Sequence, residues 1–533
     1  MSRPTASRLF ISGRLVACGP VHVGGVGGNE DVDLALAVNG SGDFYIPGTS
    51  LAGAMRAWLS RQTNAPDVNK VWGFQEEMET EDKQGHASFV LVEDGLVTLP
   101  VGTNVETRDG VGIDRVWGSA ADRVKYDRAV LPAGTEITLN LTVELTTKED
   151  PARESVVAVL KALQLGEIRL GAAKTRGMGR VTLKELQIGE QDLLSFRGML
   201  ETLRKSVSPL DVKSMKATSL RGSSALDINI DWKPRGPVMV KTEQGGVAVD
   251  MLPLVSARGS DLTFVLPGSA IKGALRSQAE RIVRTVCGFS APVANDSRED
   301  FMHQIEMRAA ESKADDRETP AMLLISGLFG IRGKTSEEKV TDDGPPLLGL
   351  GALTVEDCYA LPRFTPQQWE TIESAPDFSA DDQEIEGPNS PLRKALQAAG
   401  LEQLQQAFHV AIDRWTGGAA DSCLYKVLEP HAVAWEPIRL TLDLARLNDA
   451  DRVPAVMCLL LALRDLVNGR LPLGFATNRG MGAIEVIAVE IAANNAGREF
   501  EELTDVRLVD GKLGGWSEGL KDLLESSWSA RLS

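Results

Sequence analysis

The chain has 533 residues, with 57 Lys and Arg against 74 Asp and Glu, which gives a formal net charge of -17. A hydrophobic fraction of 43% and a charged fraction of 25% are typical of globular proteins and exclude a disordered chain. The length allows roughly two to four domains. The acidity argues against a nucleic-acid partner, because phosphate backbones are usually met by basic surfaces.

Other function classes are excluded by short patterns. The longest apolar run, 453–463, is too short to span a bilayer, and the first residues carry no signal-peptide core. The five cysteines form no C-x-x-C pair and the five histidines show no metal-ligand spacing, so neither a zinc ribbon nor a disulfide scaffold is expected. We therefore expect a cytoplasmic protein without a membrane partner.

Hydrophobic periodicity predicts the same order of elements in both halves of the chain. The first half has strands at about 8–17, 88–93, 136–145 and 180–187, helices at about 48–61 and 151–164, and an irregular stretch up to 131. The second half has strands at about 225–231, 352–356, 437–445 and 483–491 and helices at about 268–286 and 452–468. The order βαββαβ predicts an α+β protein with two tandem ferredoxin-like, RRM-type domains.

Four motifs recur in the same order, which indicates a tandem duplication. They are DFYIPGTSLAGAMR and TFVLPGSAIKGALR at 43–56 and 263–276, FVLVEDG and ALTVEDC at 89–95 and 352–358, IDRVWGSAAD and IDRWTGGAAD at 113–122 and 412–421, and GAAKTRGMGRVT and GFATNRGMGAIE at 171–182 and 474–485. The predicted domains are a first repeat at 1–190, a linker at 191–223, a second repeat at 224–495 with an insertion at about 288–325, and a tail at 496–533.

The glycine loop of each repeat is a candidate binding site. Glycines let backbone N–H groups approach a phosphate closely, and basic residues flank them. A dinucleotide fingerprint is excluded, because a helix precedes the loop and a strand follows it. The alternative is a tight turn with a solvated charged rim, but the recurrence of the loop favours binding. The candidate residues are Lys174, Thr175, Arg176, Gly177, Met178, Gly179 and Arg180, and in the second repeat Asn478, Arg479, Gly480, Met481 and Gly482.

The Pro-Gly-Thr/Ser segments are the second candidate. Thr49 and Ser269 are predicted to cap the helices that follow, and a helix N-terminus favours an anion. The alternative is an ordinary N-cap with basic residues on the surface. The candidate phosphate-binding residues are Thr49, Ser50, Arg56, Ser269, Lys272 and Arg276.

The loop after the first strand of each repeat carries acidic residues. Both loops end in Val-Asp, at Asp33 and Asp250. A carboxylate there can hold a divalent metal or assist proton transfer from a ribose hydroxyl. The alternative is a plain glycine-rich turn. Asp31 competes with Asp33 as the counterpart of Asp250, because the loop of the first repeat is longer.

Together these motifs resemble the RAMP superfamily of CRISPR proteins, and each half resembles the backbone subunit of type III effector complexes. A fusion of two such units resembles the double-backbone protein of type III-D systems. The resemblance implies a palm and glycine loop that grip the guide RNA (crRNA), and a thumb at about 96–132 and 359–430 that kinks the guide–target duplex. It adds the RNA-contact candidate His22, with Met239 as its counterpart, and the thumb candidates Ile113, Arg115, Arg123, Ile412 and Arg414.

The resemblance also implies a reaction. In that family an aspartate of the first loop supports metal-dependent cleavage of target RNA, which assigns Asp33 and Asp250 as catalytic and Mg²⁺- or Mn²⁺-binding residues. The 2′-hydroxyl attacks the adjacent phosphate and leaves a cyclic phosphate and a 5′-hydroxyl. The implied partners are the guide, target RNA, other backbone subunits, a large signalling subunit and a small subunit.

Two other functions stay open from the sequence. A scaffold would organise guide RNA without cutting the target. A guide-processing ribonuclease would need His or Tyr acid–base residues, and His22 has no counterpart in the second repeat. A cyclic-nucleotide-producing large subunit is disfavoured because no G-G-D-D motif occurs.

The net charge also predicts how the chain binds RNA. Its basic residues are concentrated in the loops and helix starts, so we expect the acidic chain alone to bind naked RNA weakly.

Overall fold

A computed structural model of the protein describes residues 4–25, 32–63, 65–75, 85–147, 150–218, 220, 222, 224–291, 304, 318–331, 349–376, 390–509 and 511–532. Asp31 and most of the predicted insertion at 288–325 lie outside these residues. The chain forms two compact units. The first comprises Met1–Arg108, Arg128–Lys174 and Met178–Gly222, and the second comprises Asp109–Asp127, Thr175–Gly177 and Ser223–Ser533. The second unit therefore includes two short segments of the first repeat.

Up to residue 222 the elements are β1 (Ser7–Ala17), β2 (Tyr45–Ile46), α1 (Gly48–Gln62), α2 (Ala65–Trp72), β3 (Phe74–Gln75), β4 (Gly85–His86), β5 (Val90–Val92), β6 (Gly95–Thr98), β7 (Glu106–Ile113), β8 (Ala120–Val130), β9 (Glu136–Leu145), α3 (Pro151–Leu165), β10 (Val181–Asp192), α4 (Phe196–Leu203) and β11 (Ser208–Leu210). The central sheet of the first unit is antiparallel, with β1 between β10 and β9 and with β5 on the other side of β9.

Alternation of side chains along the strands explains this sheet. On β9 the alternate residues Ile137, Leu139 and Leu141 are buried, while the intervening residues are more exposed. Helix α1 contributes Leu51 and Met55, four residues apart, to the same core. One apolar face of the sheet is thus covered by one apolar stripe of a helix, as period-two and period-3.6 patterns require.

From residue 224 the elements are β12 (Ala225–Pro234), β13 (Val255–Arg258), β14 (Asp261–Leu266), α5 (Gly268–Cys287), α6 (Glu318–Phe329), β15 (Leu353–Val355), β16 (Cys358–Tyr359), α7 (Pro366–Glu373), α8 (Pro391–Ala398), β17 (Leu404–Ile412), β18 (Ala419–Pro430), β19 (Ile438–Asp443), α9 (Asp449–Val467), β20 (Ile484–Asn494), α10 (Arg498–Glu501), β21 (Arg507–Val509), β22 (Lys512–Gly514) and α11 (Glu518–Leu532). The sheet order β15-β19-β12-β20 repeats the order β5-β9-β1-β10 of the first unit. The predicted α+β fold with two ferredoxin-like domains is confirmed.

Two stretches differ from the sequence prediction. The irregular stretches in fact contain antiparallel hairpins, β7–β8 in the first repeat and β17–β18 in the second. Much of the second hairpin is exposed on both faces, so its sequence lacks the alternation of a half-buried strand.

The predicted linker carries α4 and β11, and β11 pairs with β10. In the tail, α11 places Leu520, Leu524 and Trp528 in the core of the second unit.

None of the helices in the described part of the chain is long and apolar enough to cross a membrane.

Candidate nucleic-acid interface

The two glycine loops, 171–179 and 474–482, have the same backbone conformation. Positive φ angles occur at matching positions, namely Gly171, Ala173, Gly177 and Gly179 in the first loop and Gly474, Ala476, Gly480 and Gly482 in the second. A Cβ on Gly171 would lie 1.9 Å from the carbonyl oxygen of His22, and one on Gly474 would lie 2.2 Å from that of Met239. Gly171 and Gly474 are therefore required by close backbone packing as well as by conformation.

The methionines of the RGMG motif anchor the loops from inside. Met178 and Met481 are buried. Met481 clusters with Met239 and Val427, at the base of the second hairpin, while the sulfur of Met178 lies 3.9 Å from Nη1 of Arg128. These two side chains, predicted to bind RNA, are packed inside the protein and hold the loop in place. Lys174, Arg176 and Arg180 are half-buried, and Asn478 and Arg479 are exposed.

A tyrosine on each hairpin meets the loop arginine, and the sequence interpretation missed it. Nη1 of Arg176 donates to the hydroxyl of Tyr126 at 3.3 Å, and Arg479 donates to the hydroxyl of Tyr425. Extending the IDR match along the chain aligns the two tyrosines, so the signal was present in the sequence. The pair ties the basic loop to the hairpin in both repeats.

Aromatic rings gather beside this pair in the second repeat. The His409 ring stacks on Tyr425 with centroids 5.3 Å apart, and the guanidinium of Arg479 lies 5.3 Å from the Phe475 ring centroid. Phe408 is on the same hairpin and half exposed. Although aromatic residues make up only 5% of the chain, this part of the second repeat offers stacking surfaces next to a cation.

The helix starts are capped differently from the prediction. The N-cap residues are Pro47 and Pro267, and neither Thr49 nor Ser269 provides the cap. Instead the carboxylate of a distant aspartate, from the V-E-D motif of the same repeat, accepts the first helical N–H. These bonds join Gly48 to Asp94 and Gly268 to Asp357, each at 2.7 Å. A carboxylate thus occupies part of the helix end that was expected to bind an anion.

The other residues predicted at the helix starts have different surroundings. Thr49 is exposed, Ser50 and Ser269 are half-buried, and Arg56 donates to Oδ1 of Asn69 at 2.9 Å. A shallow cleft in the first unit combines part of this helix with the glycine loop. Its lining residues are Val23, Gly24, Ser50, Gly53, Ala54, Gly171, Ala172 and Lys174.

The two loop aspartates occupy equivalent places. Leu34 pairs with Arg128 in a parallel bridge, and Met251 pairs in the same way with Val427. Asp33 directly precedes the first bridge and Asp250 the second, which makes them counterparts. Asp33 and Asp250 are exposed, and Oδ2 of Asp250 accepts the N–H of Lys426 at 2.7 Å.

His22, predicted as an RNA-contact residue, is enclosed by protein. Its side chain is buried, and Nδ1 lies 2.7 Å from the carbonyl oxygen of Ala129. Burial lowers the pKa of His22, partly opposed by the Ala129 hydrogen bond. The imidazole is therefore neutral near pH 7 and fastens the strand end to the hairpin base.

Within the second unit, the tip of the first glycine loop is covered by protein. Nζ of Lys272 donates to Oγ1 of Thr175 at 3.0 Å and to the carbonyl oxygen of Leu353 at 2.6 Å. Lys272 is only 5% exposed, and burial lowers its pKa to about 7, with nearby arginines adding to the shift. Thr175 and Lys272, both predicted to bind RNA, thus bind each other.

The tip of the first hairpin is covered as well. Nε of Arg115 lies 2.5 Å from Oε2 of Glu280, which also receives Nε of Arg276 at 2.7 Å on its other oxygen. Glu280 is buried. Burial alone would raise the pKa of Glu280, but the two guanidinium groups hold it below its usual value. Arg115 and Arg276 are therefore engaged within the protein.

The corresponding hairpin residues in the second repeat are open. Arg414 and Ile412 are exposed, and no partner of Arg414 occurs among the described residues. Ile113 and Arg123 of the first hairpin are exposed too, and Arg123 has a positive φ of 55°.

The acidic loops could hold a divalent ion only if the substrate supplied some of its ligands. In the described part of the chain no three His, Cys, Asp or Glu side chains come together as metal ligands. Mg²⁺ often uses one or two carboxylates, several waters and substrate phosphates. Asp33 and Asp250, which are both exposed, fit an ion of that kind.

A model of a known protein family matches both repeats. A model of the RAMP superfamily matches residues 14–182 and 253–485, which cover more than half of the chain and parts of both repeats.

The chain belongs to the RAMP superfamily.

Membership of the RAMP superfamily indicates a CRISPR-associated RNA-binding subunit, and the two matched regions agree with a tandem RAMP protein. The net charge of -17 therefore pointed in the wrong direction when it was taken as evidence against a nucleic-acid partner. No curated protein matches the chain.

Proposed function

We propose that this RAMP protein is a crRNA-binding backbone subunit of a type III CRISPR effector complex, of the double-backbone kind found in type III-D systems. In this proposal it cleaves complementary target RNA with Mg²⁺ or Mn²⁺ at kinked nucleotides, with one potential active site in each repeat. Its partners are the guide, the target RNA, other backbone subunits, and the large and small subunits.

The proposal is carried by the group of side chains at the root of the second hairpin. Asp250 hydrogen-bonds the backbone of Lys426, and the adjacent Tyr425 bonds Arg479 of the glycine loop. A carboxylate, a cation and a hydroxyl are thus brought to one short stretch of strand. RNA cleavage requires charge stabilisation at a phosphate and a proton acceptor near a 2′-hydroxyl, and these groups can provide both.

The proposed reaction balances without a further reactant. The 2′-oxygen attacks the neighbouring phosphorus, the bond to O5′ breaks, and the products are a 2′,3′-cyclic phosphate and a 5′-hydroxyl. One proton leaves the 2′-hydroxyl and one reaches the departing O5′. Asp33 or Asp250 would accept the first proton or hold the divalent ion. A bound ion would stabilise negative charge on the phosphate oxygens.

Local geometry is expected to supply much of the rate. The attacking 2′-oxygen must line up behind the leaving O5′, which a stacked A-form strand does not allow. A hairpin that wedges into the duplex would unstack one nucleotide and permit that alignment. Exposed apolar residues near the tip of the second hairpin, Ile412 and Trp415, suit such a wedge.

The decisive experiment is reconstitution of the complex with guide and end-labelled target RNA. We expect Asp33→Asn and Asp250→Asn each to remove one cut, by at least roughly 100-fold in rate, with target binding unchanged. Asp522→Asn, which removes an exposed carboxylate from α11, is the matched control and should cut like wild type.

The alternative is a non-catalytic guide-RNA scaffold. Its support is that no three metal-ligating side chains come together in the part of the chain that the structure describes. A scaffold would leave the target whole in Mg²⁺ or Mn²⁺ while still binding it. Unchanged cleavage patterns in both aspartate variants would contradict the proposed catalytic residues, and an uncut target with wild type would favour the scaffold.

A further inference from the structure

Four flat side chains contact one another in series at the root of the second hairpin. The His409 ring stacks on the Tyr425 ring with their planes 10° apart, and the guanidinium of Arg479 lies 5.8 Å from the Tyr425 centroid. The same guanidinium lies 5.3 Å from the centroid of Phe475. These four residues form the aromatic cluster, in which Arg479 is exposed and the three rings are half-buried.

A buried carboxylate fixes the His409 end of the aromatic cluster. Oε1 of Glu429 lies 3.0 Å from Nε2 of His409, and Oε2 lies 3.1 Å from Nε2 of His431. Glu429 is only 8% exposed, so this carboxylate holds the imidazole of His409 in a set orientation. A ring that is already held in place loses little conformational entropy when another ring stacks on it. The cluster is therefore preorganised for a flat ligand.

The first repeat has the tyrosine and the arginine but not the rings beside them. The motif match places Gly110 at the position of His409 and Ala172 at that of Phe475. A Cβ on Gly110 would overlap the ring of Tyr126, so no side chain at that position can stack on this tyrosine without a rearrangement. The aromatic cluster therefore belongs to the second repeat.

The support for His409 is also particular to the second repeat. Val130 stands at the position of Glu429. Positive φ angles occur at Arg123 and Ser422, which the same alignment brings together, so the two hairpins are compared in the correct register. Several differences thus surround one arginine–tyrosine pair that both repeats keep. The pair alone suits a phosphate, whereas the added rings suit a flat π-system.

A nucleobase is the flat group that fits these neighbours. Unstacked RNA bases bind by stacking on aromatic rings and on the guanidinium planes of arginines. Arg479 belongs to the glycine loop, whose basic residues are the phosphate-binding candidates. A nucleotide carries its base and its phosphate on one ribose, so both groups can be bound at the same place.

We propose that the aromatic cluster binds one unstacked nucleobase of single-stranded RNA, against the exposed side of Arg479 and Phe475. The first repeat lacks this site. Stacking needs only the π-face that every base has, so the site does not select a particular base. The inference rests on the proposed RNA-binding backbone role but not on RNA cleavage.

The test separates the bases of RNA from its phosphates. Fluorescence anisotropy of the full chain at low salt compares a labelled oligouridylate with an abasic RNA strand of the same length. The abasic strand keeps every ribose and phosphate but has no base to stack. We expect wild type to bind the oligouridylate about tenfold more tightly, which is the size of effect that one stacked base produces.

Variants of Phe475 identify the ring that carries the effect. Phe475→Ala introduces the residue of the first repeat and should remove most of the preference for the oligouridylate, with the abasic strand bound as before. Phe475→Leu keeps an apolar side chain without the ring and should do the same, so a folding defect of the alanine variant does not decide the outcome. The same two changes at Phe196, an exposed ring on α4, are the control and should leave both affinities unchanged. Circular dichroism verifies that each variant is folded.

Salt dependence distinguishes stacking from charge. Phe475→Leu should weaken binding of the oligouridylate by the same factor at every salt concentration, because no counterion is released by stacking. Arg479→Gln removes a cation, so it should also lower the slope of log affinity against log salt by roughly 0.7. A change of slope in Phe475→Leu would mean that the ring acts through the arginine and its phosphate.

Four results would overturn the inference. Equal affinity of wild type for the two strands would exclude a base contact. Equal weakening of both strands by folded Phe475→Leu would show that the ring only positions Arg479. Competition by uridine monophosphate as effective as that of RNA would assign the site to a free nucleotide. Absence of RNA binding at low salt would contradict the RNA-binding role as well. Because cleavage is not measured, failure here is distinguishable from failure of the proposed catalytic residues.

Discussion

The two glycine loops share a backbone but differ in surroundings. Thr175 in the first loop is enclosed by Lys272 and by the backbone of β15, whereas its neighbourhood in the second loop, around Asn478 and Arg479, is open. The hairpin tips differ in the same sense, since Arg115 is paired with Glu280 and Arg414 is exposed. One copy of each motif makes internal contacts and the other is exposed.

This difference teaches that a repeated motif does not imply a repeated role. The loop and tip of the first repeat became internal contacts because α5 carries Lys272 and Glu280. In the second repeat, the arginines of the loop and the tip, Arg479 and Arg414, remain exposed. Variants that remove the internal partners test whether the covered copy depends on them.

The largest effect is expected from Glu280→Gln. The change leaves Arg115 and Arg276 largely buried without a countercharge, so the free energy of unfolding should fall by roughly 3–5 kcal/mol. Chemical denaturation measures this loss. The control is Ser60→Gln at the exposed counterpart in the first repeat, which should change stability by less than about 0.5 kcal/mol. A small loss in Glu280→Gln would mean that the tip is not held by this pair.

The next effect is a pH dependence centred on Lys272. Burial lowers its pKa to about 7 in the folded protein, against an ordinary value of 10.5. Above pH 7 the unfolded chain therefore binds more protons at this lysine, and stability rises with pH until it levels off near 10.5.

Comparison with Lys272→Met isolates that contribution. At about 1.4 kcal/mol per pKa unit, the unfolding free energy of wild type relative to the variant should increase by about 2 kcal/mol between pH 7 and pH 9. Urea titrations at both pH values provide the measurement. A difference that stays constant with pH would show that the ammonium group is not desolvated at the loop.

The smallest effect compares the two loop tips directly. Gly177 and Gly480 have φ angles of 89° and 90°, so alanine strains both backbones alike. A Cβ at Gly177 would lie 2.1 Å from Oδ1 of Asp357, the oxygen that caps α5, whereas a Cβ at Gly480 meets nothing within 4 Å. Gly177→Ala should therefore destabilise the protein by about 1–2 kcal/mol more than Gly480→Ala. Equal melting temperatures would remove the contrast between the loops.

Most of the fold could be predicted because local sequence patterns indicate its helices and strands. The apolar period of α3 and the alternation of β9 identify the elements and their buried faces. The hairpins were missed since largely exposed strands carry no alternation. The capping carboxylates Asp94 and Asp357 were missed because each lies far along the chain from the helix that it caps.

The candidate site was predicted in part. The motifs identified the glycine loops, and the bridges at Leu34 and Met251 make Asp33 and Asp250 counterparts. The tyrosines were missed, although their alignment was available. Their bond to the loop arginine depends on the hairpin that returns to the loop, which no local pattern reports.

The sequence by itself determined the duplication, the order of elements along the chain and the positions of the glycine loops, because periodicity, glycine placement and recurring motifs can be recognised without the fold. Only the tertiary structure decided which copy of the loop and hairpin is covered. The residues responsible, Lys272 and Glu280, are ordinary members of a helix until folding brings Thr175 and Arg115 against them. In the folded protein Glu280 provides the countercharge for Arg115, and Lys272 donates a hydrogen bond to Thr175. Arg414 and Arg479 remain exposed.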